Sequence, residues 1–222
     1  MRYIKTHILK IDPGNPDLSE IGKAANFLRK GKVVVFPTDT VYGIGADAYN
    51  RDAVQRIFEI KERDSGKPLQ VLIARKSELR HITSLRSDML DRIVSRFMPG
   101  TLTLVLPAME DFPKWVSSEH DYASGLLRRT VGVRMPANPI ALKLIECFGA
   151  PVAATSANMS GYPDPRNADE VLKYLDGRFD LLIDGGATPD SVPSTVFDIS
   201  VNPPVILRKG KISEEELKRA IE

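Results

Sequence analysis

The stretch Val33-Val34-Val35-Phe36-Pro37-Thr38-Asp39-Thr40-Val41-Tyr42-Gly43-Ile44-Gly45-Ala46 decides the fold. Four apolar, mostly β-branched residues predict a short buried strand. Pro37 lacks a ladder donor and ends it. Two threonines, an aspartate and a tyrosine follow, polar groups that a core does not accept unpaired. Gly43 and Gly45 are expected to close the loop and let other groups approach the backbone. A buried strand that opens into hydroxyls is where an open α/β sheet places a ligand. An ordinary strand-to-loop exit has the same composition.

Working outward, strands and helices alternate. Thr6 to Ile11 reads as a strand that ends at Asp12-Pro13-Gly14-Asn15-Pro16. Asp17 caps a helix whose apolar face is Leu18, Ile21, Ala25 and Leu28. Downstream, the pattern predicts a helix over 52–62, a strand over 68–74 and two short helices within 77–97. A strand over 101–106 leads into an irregular segment, 107–125, that holds the only tryptophan, Trp115, with a flexible cover as one open reading. Further strands are expected over 130–135, 152–155, 179–183, 194–199 and 205–207. Helices start at Asn138-Pro139, at Asn167 with Glu170, and at the Ser213/Glu216 capping box. This alternation predicts a single α/β domain spanning 1–222, a twisted mixed sheet flanked by helices, with no second domain after it. Several expected strands end in polar clusters, namely Pro37-Thr38, Arg134-Met135, Thr155-Ser156-Ala157-Asn158 and Arg208-Lys209, which implies one shared cavity.

Composition narrows the class. The 222 residues are 42% hydrophobic and 27% charged, which suits a globular domain with a real core. A formal net charge of +2 gives no global basic field for nucleic acid or an anionic membrane. The single cysteine, Cys147, falls in an amphipathic helix and excludes an internal disulfide framework, so a reducing, cytoplasmic setting is expected. No run of 18 apolar residues predicts a membrane span.

One constellation carries charge. Lys61 lies seven positions after Val54 and three after Phe58, on the apolar face of its helix. Such a lysine either complements the helix C-terminal dipole or reaches an anion in the cavity. Arg63 follows in a turn, where its planar fork suits a phosphate. Thr155-Ser156-Ala157-Asn158, Pro193-Ser194-Thr195 and Arg208 add hydroxyls, an amide and a cation at strand boundaries. The same groups also serve as ordinary turn caps. Other chemistries are missing. Gly43-x-Gly45-x-x-Ala48 is a poor dinucleotide fingerprint, and no P-loop motif occurs. His7, His81 and His120 are scattered without metal-ligand spacing. A site of this composition works by positioning and charge neutralisation.

Phe36-Pro37-Thr38-Asp39-Thr40-Val41-Tyr42-Gly43, Lys61-x-Arg63 and Ser156-x-Asn158 together resemble the YrdC-like family of L-threonylcarbamoyladenylate synthases. The likeness extends through Thr130-Val131-Gly132-Val133-Arg134-Met135-Pro136, Ile183-Asp184-Gly185-Gly186, Pro193-Ser194-Thr195 and Leu207-Arg208. It implies a sheet around a deep, positively lined cavity. It also implies a nucleotidyltransferase that makes threonylcarbamoyl-AMP and pyrophosphate from L-threonine, bicarbonate and ATP, for threonylcarbamoyl adenosine in tRNA. Carried over by position, Thr38, Lys61, Arg134 and Ser194 would contact threonine. Arg63, Ser65, Thr130, Ala154, Ser156, Asn158 and Arg208 would contact ATP, with Lys61 and Arg63 as the catalytic pair. Mg²⁺ is expected to arrive with the ATP, because no carboxylate cage is visible. The implied partners are a downstream tRNA threonylcarbamoyl-transferase and, weakly, tRNA or double-stranded RNA, with no membrane. Asp64 stands where many members carry proline. The chain resembles the short form of the family. Both motifs are intact, unlike in the YciO-like sister group, which leaves a YciO-like nucleotide binder and a non-catalytic RNA-binding module as the alternatives.

Overall fold

The computed structural model describes residues 3–121, 127–189 and 192–221. Within them β1 is His7–Lys10, β2 Val34–Phe36, β3 Gly43–Asp47, β4 Gln70–Leu72, β5 Leu102–Pro107 and β6 Ser118–Asp121. The later strands are β7 Leu127–Arg134, β8 Val152–Ser156, β9 Leu181–Asp184, β10 Thr195–Asp198 and β11 Val205–Arg208. The helices are α1 Leu18–Arg29, α2 Arg51–Lys61, α3 Asp88–Phe97, α4 Pro139–Phe148, α5 Ala168–Leu175 and α6 Glu214–Ile221. All the strands join one mixed sheet in the order β1-β9-β2-β3-β8-β4-β7-β5-β10-β11, with β6 paired to β7. The α/β architecture expected from the alternation is therefore the one observed.

Each face of the sheet buries its own core. On one side Ile21, Ala24, Ala25 and Leu28 of α1 meet Ile140, Leu144 and Ile145 of α4 over Val34, Phe36, Leu181 and Ile183. On the other, Val54, Ile57 and Phe58 of α2, Ile93 of α3, Val171 of α5 and Leu217 of α6 pack on the opposite side chains. This alternation follows from the two-residue period of a strand. The helix starts follow their capping residues. Asp17, Asn138 and Asn167 accept from Ser19, Ala141 and Glu170 N–H at 2.7, 3.1 and 2.9 Å. Ser213 and Glu216 cap each other reciprocally.

Four local expectations change. Gly43 and Gly45 do not close a loop. They lie in β3, paired antiparallel to β2 and β8. Gly45 is needed there for close packing, since a Cβ would sit 2.7 Å from Val152 Cγ1 and 3.0 Å from Phe36 Cε1. Leu18 is 61% exposed at the first position of α1, and Ala24 takes its place on the buried face. The first of the two short helices within 77–97 is a 3₁₀ helix, Lys76–His81. The segment 107–125 is not irregular throughout. It holds a 3₁₀ turn at Lys114–Val116 and then β6. Arg129 fastens it by donating to the carbonyls of Phe112, Met109 and Glu110. Its last residues, 122–125, lie outside the described residues.

Tyr42 ties the opening of the site to the far end of β9. Its ring is fully buried, its hydroxyl donates to Gly186 O at 2.7 Å and it accepts from Gly185 N at 3.2 Å. Burial pushes the phenol up to about 12. The native pKa thus lies above the unfolded one. The stabilisation is complete below pH 10 and is lost as pH rises through 12. Tyr42→Phe is expected to cost about 1–3 kcal/mol in denaturant unfolding, because the buried Gly185 N–H loses its acceptor. It is also expected to remove the tyrosine absorbance component titrating near pH 12. An unchanged alkaline titration would contradict this assignment.

Candidate active site

Thr130 of β7 is paired to Pro107 of β5 and to Ser118 of β6 at once, so β5 and β6 flank opposite edges of β7. β4 shares the β6 edge but pairs only with Val133 and Arg134. Between those two registers lie Val131 and Gly132, and here the sheet opens into a cavity of about 550 Å³. That volume suits a nucleotide-sized ligand.

The cavity gathers most of the residues singled out from the sequence. Arg63, Ser65, Thr130, Arg134, Ala154, Ser156, Ser194 and Arg208 all line it. Thr38, Lys61 and Asn158 do not, and each instead supports a wall. Thr38 is buried and donates to Val41 O at 2.7 Å, with its oxygen 3.0 Å from Thr40 Oγ1. Thr40, not Thr38, reaches the cavity. Asn158 accepts from Ser156 Oγ at 2.6 Å and donates to the Tyr162 carbonyl.

Lys61 ends α2 on its inward face, 1% exposed. The ammonium donates to the carbonyl oxygens of Ser156 and Asn158 and, at 2.9 Å, to Asn158 Oδ1. Three acceptors match the three N–H bonds of a charged lysine. Burial, reinforced by Arg63, lowers its pKa to about 7, and Asp164 opposes the shift. The lysine thus fixes the backbone of the Ser156–Asn158 turn from behind the cavity wall.

Arg63 comes forward because Glu62 caps α2 in the left-handed region, φ 50°. The next turn is built by Asp64, whose carboxylate accepts from Gly66 N at 2.9 Å, an Asx turn. Arg63 Nε donates to Lys67 O at 3.1 Å and Nη2 to Pro68 O at 3.3 Å. Arg134 is held more tightly. It is 3% exposed and donates to Asp39 Oδ1 at 2.6 Å, Thr40 Oγ1 at 3.1 Å and Gly100 O at 3.1 Å. Arg208 donates from Nε and Nη2 to Ser194 O at 3.1 and 2.9 Å. Burial pulls the pKa of all three guanidiniums down. Asp64 counters this at Arg63, where Arg208 adds to it, while Asp39 counters it at Arg134 and Asp164 at Arg208. An arginine stays protonated regardless, so all three keep their positive charge at the cavity.

Apart from Trp115, which stands out as the only tryptophan of the 107–125 segment, the other cavity residues have no signal in the sequence. Gln70, Thr103, Trp115, Glu119 and Asp164 line the same space. The first two sit in ordinary strand patterns, and Asp164 in a proline-rich turn. Trp115 is held by its indole N–H, which donates to Ala48 O at 2.9 Å. Among the described residues, no three His, Cys, Asp or Glu side chains gather as a metal site.

Comparison with known proteins gives the family and the fold. The family model Sua5_yciO_yrdC, described as "Telomere recombination", matches residues 26–210. The threonylcarbamoyl-AMP synthase of Pyrococcus abyssi is 45% identical over 198 residues, covering 89% of this chain and 56% of that protein. The Bacillus subtilis enzyme of the same name is 44% identical over 202 residues, covering 91% and 56%. The chain therefore spans a little over half the length of these two relatives. The crystal structure of P. abyssi Sua5 complexed with L-threonine superposes with a TM-score of 0.89 at 43% identity, over 97% of this chain and 61% of that one. On the family model, the identities and the shared fold, the chain belongs to the Sua5/YciO/YrdC family.

Proposed function

We propose that this protein is an L-threonylcarbamoyladenylate synthase, joining L-threonine, bicarbonate and ATP into threonylcarbamoyl-AMP with release of pyrophosphate. The observation that carries the reading is the convergence of Arg63, Arg134 and Arg208 on one cavity, against the carboxylates of Glu119 and Asp164 on its wall. The naming of the relatives and the threonine complex of the P. abyssi protein support it. Threonine's amine and bicarbonate combine to a carbamate with loss of water. A carbamate oxygen then attacks the α-phosphorus, and the bond to pyrophosphate breaks. Two anions must approach, so cationic screening is the first requirement and in-line placement the second.

In this reading Arg134 and Ser194 hold threonine, with Thr38 bracing the loop that presents Thr40. Arg63, Ser65, Thr130, Ala154, Ser156 and Arg208 hold the nucleotide. Lys61 and Asn158 act from behind the wall by fixing the Ser156 turn. Mg²⁺ enters on the phosphates of ATP. The product would pass to a tRNA threonylcarbamoyl-transferase. Pyrophosphate release from ATP, measured with and without threonine and bicarbonate, tests the proposal. Release is expected only when both are present. Release that needs neither, or none from the folded protein, would overturn it, and tight ATP binding indifferent to threonine would mark a YciO-like nucleotide binder instead.

A further inference from the structure

A line of polar side chains crosses the cavity floor. Arg208 Nη2 donates to Ser194 Oγ at 3.1 Å, Ser194 Oγ lies 2.8 Å from Thr103 Oγ1, and Thr103 Oγ1 donates to Gln70 Oε1 at 2.8 Å. Thr103 and Ser194 are 3% and 1% exposed, and all four residues line the cavity. Gln70 is on β4 and Thr103 on β5, with β7 running between them. Their side chains meet over Gly132. A Cβ at that position would lie 3.2 Å from Thr103 Cγ2 and 4.0 Å from Gln70 Cβ. The missing side chain is what lets the contact span three strands.

A hydroxyl has one proton to donate. Thr103 gives its proton to Gln70, so Ser194 must supply the proton between the two hydroxyls. Ser194 also accepts from Arg208, which leaves it a single lone pair toward a ligand. It can accept there and cannot donate. Were the Gln70 amide turned over, its NH₂ would donate into the line, Thr103 would donate to Ser194, and the serine proton would be released to the cavity.

We propose that Gln70 is a positioning residue: by accepting the Thr103 proton it sets the direction of the hydroxyl line and makes Ser194 an acceptor that selects an amino acid with a side-chain hydroxyl. This inference rests on the threonine reading above. Its test is the binding of L-threonine and of L-valine, which has a methyl in place of the hydroxyl, followed by calorimetry. A site built to bond a substrate hydroxyl is expected to prefer threonine by about 100-fold or more. Gln70→Leu is expected to reduce that ratio about tenfold by weakening threonine alone. Gln70→Glu, whose ionised carboxylate only accepts, keeps the direction and is expected to keep the ratio, since its charge acts on both amino acids alike. A merely structural role would weaken both ligands together and leave the ratio intact. An unchanged ratio in Gln70→Leu, or one that falls equally in Gln70→Glu, overturns the inference while threonine binding stands. A parent chain that does not bind threonine overturns the threonine reading and this inference with it.

Discussion

Replacing Arg134 with methionine is expected to lower the unfolding free energy by about 3–5 kcal/mol, the cost of leaving one partner of a buried ion pair behind. The Arg134 side chain is 3% exposed and that of Asp39 11%, and they meet at 2.6 Å. The second carboxylate oxygen of Asp39 is buried without a hydrogen-bond partner among the described residues, so none of them would compensate. Asp39→Asn introduced into the Arg134→Met chain is expected to recover part of the loss, because an amide is cheaper to bury than a carboxylate. Urea unfolding of the parent, both single variants and the double variant closes the cycle, with a coupling of about 1–3 kcal/mol expected. A single Arg134→Met variant within about 1 kcal/mol of the parent would show that the pair is not what holds the mouth of the cavity. The same variant is expected to lose pyrophosphate release, since Arg134 joins the Thr40 loop to β7.

Arg63→Ala is expected to act in the opposite way, on turnover and not on stability. Arg63 is half-buried, and among the described residues it bonds two carbonyls of the exposed Lys67-Pro68 turn. Stability is expected to change by less than about 1 kcal/mol. Under the proposed reaction, the rest of its fork would meet charge that develops at the α-phosphate. Removing one such donor typically lowers turnover about 10²–10³-fold. Arg63→Lys is expected to restore only part of the rate, because an ammonium cannot reproduce a planar two-pronged contact. Near-normal pyrophosphate release from a folded Arg63→Ala protein would remove Arg63 from the chemistry.

These two arginines also show how far the sequence reaches. What depends on near neighbours was legible: the strand from Val33, the capping residues, and the inward side of Lys61 from its spacing to Val54 and Phe58. What depends on distant partners was not. Gly43-Ile44-Gly45 lacks the side chains that advertise a strand, yet pairing with β8 more than a hundred residues later makes it one. The orientation of Lys61 was readable, but not its destination, because the carbonyls that receive it lie 95 and 97 residues further on. Gln70 and Thr103 look like routine members of alternating strands. Only the empty place at Gly132 brings them together, and an isolated glycine in a strand does not say what will lean across it.

The sheet order has a consequence for how the chain is made. β1 is the first described strand in sequence, but among the described residues its one neighbour in the sheet is β9. The Thr6 hydroxyl likewise finds its acceptor at Phe179, 173 residues later. At a ribosomal pace of about 5–20 residues per second, that interval is roughly 10–35 s. During it the nascent N-terminal segment and the open side of β2, which also pairs with β9, have no native partner to close on. Such late closure between remote segments slows folding and prolongs exposure to aggregation. The last third of the chain therefore completes the first, and a growing polypeptide must carry its opening segment unpaired for most of its synthesis.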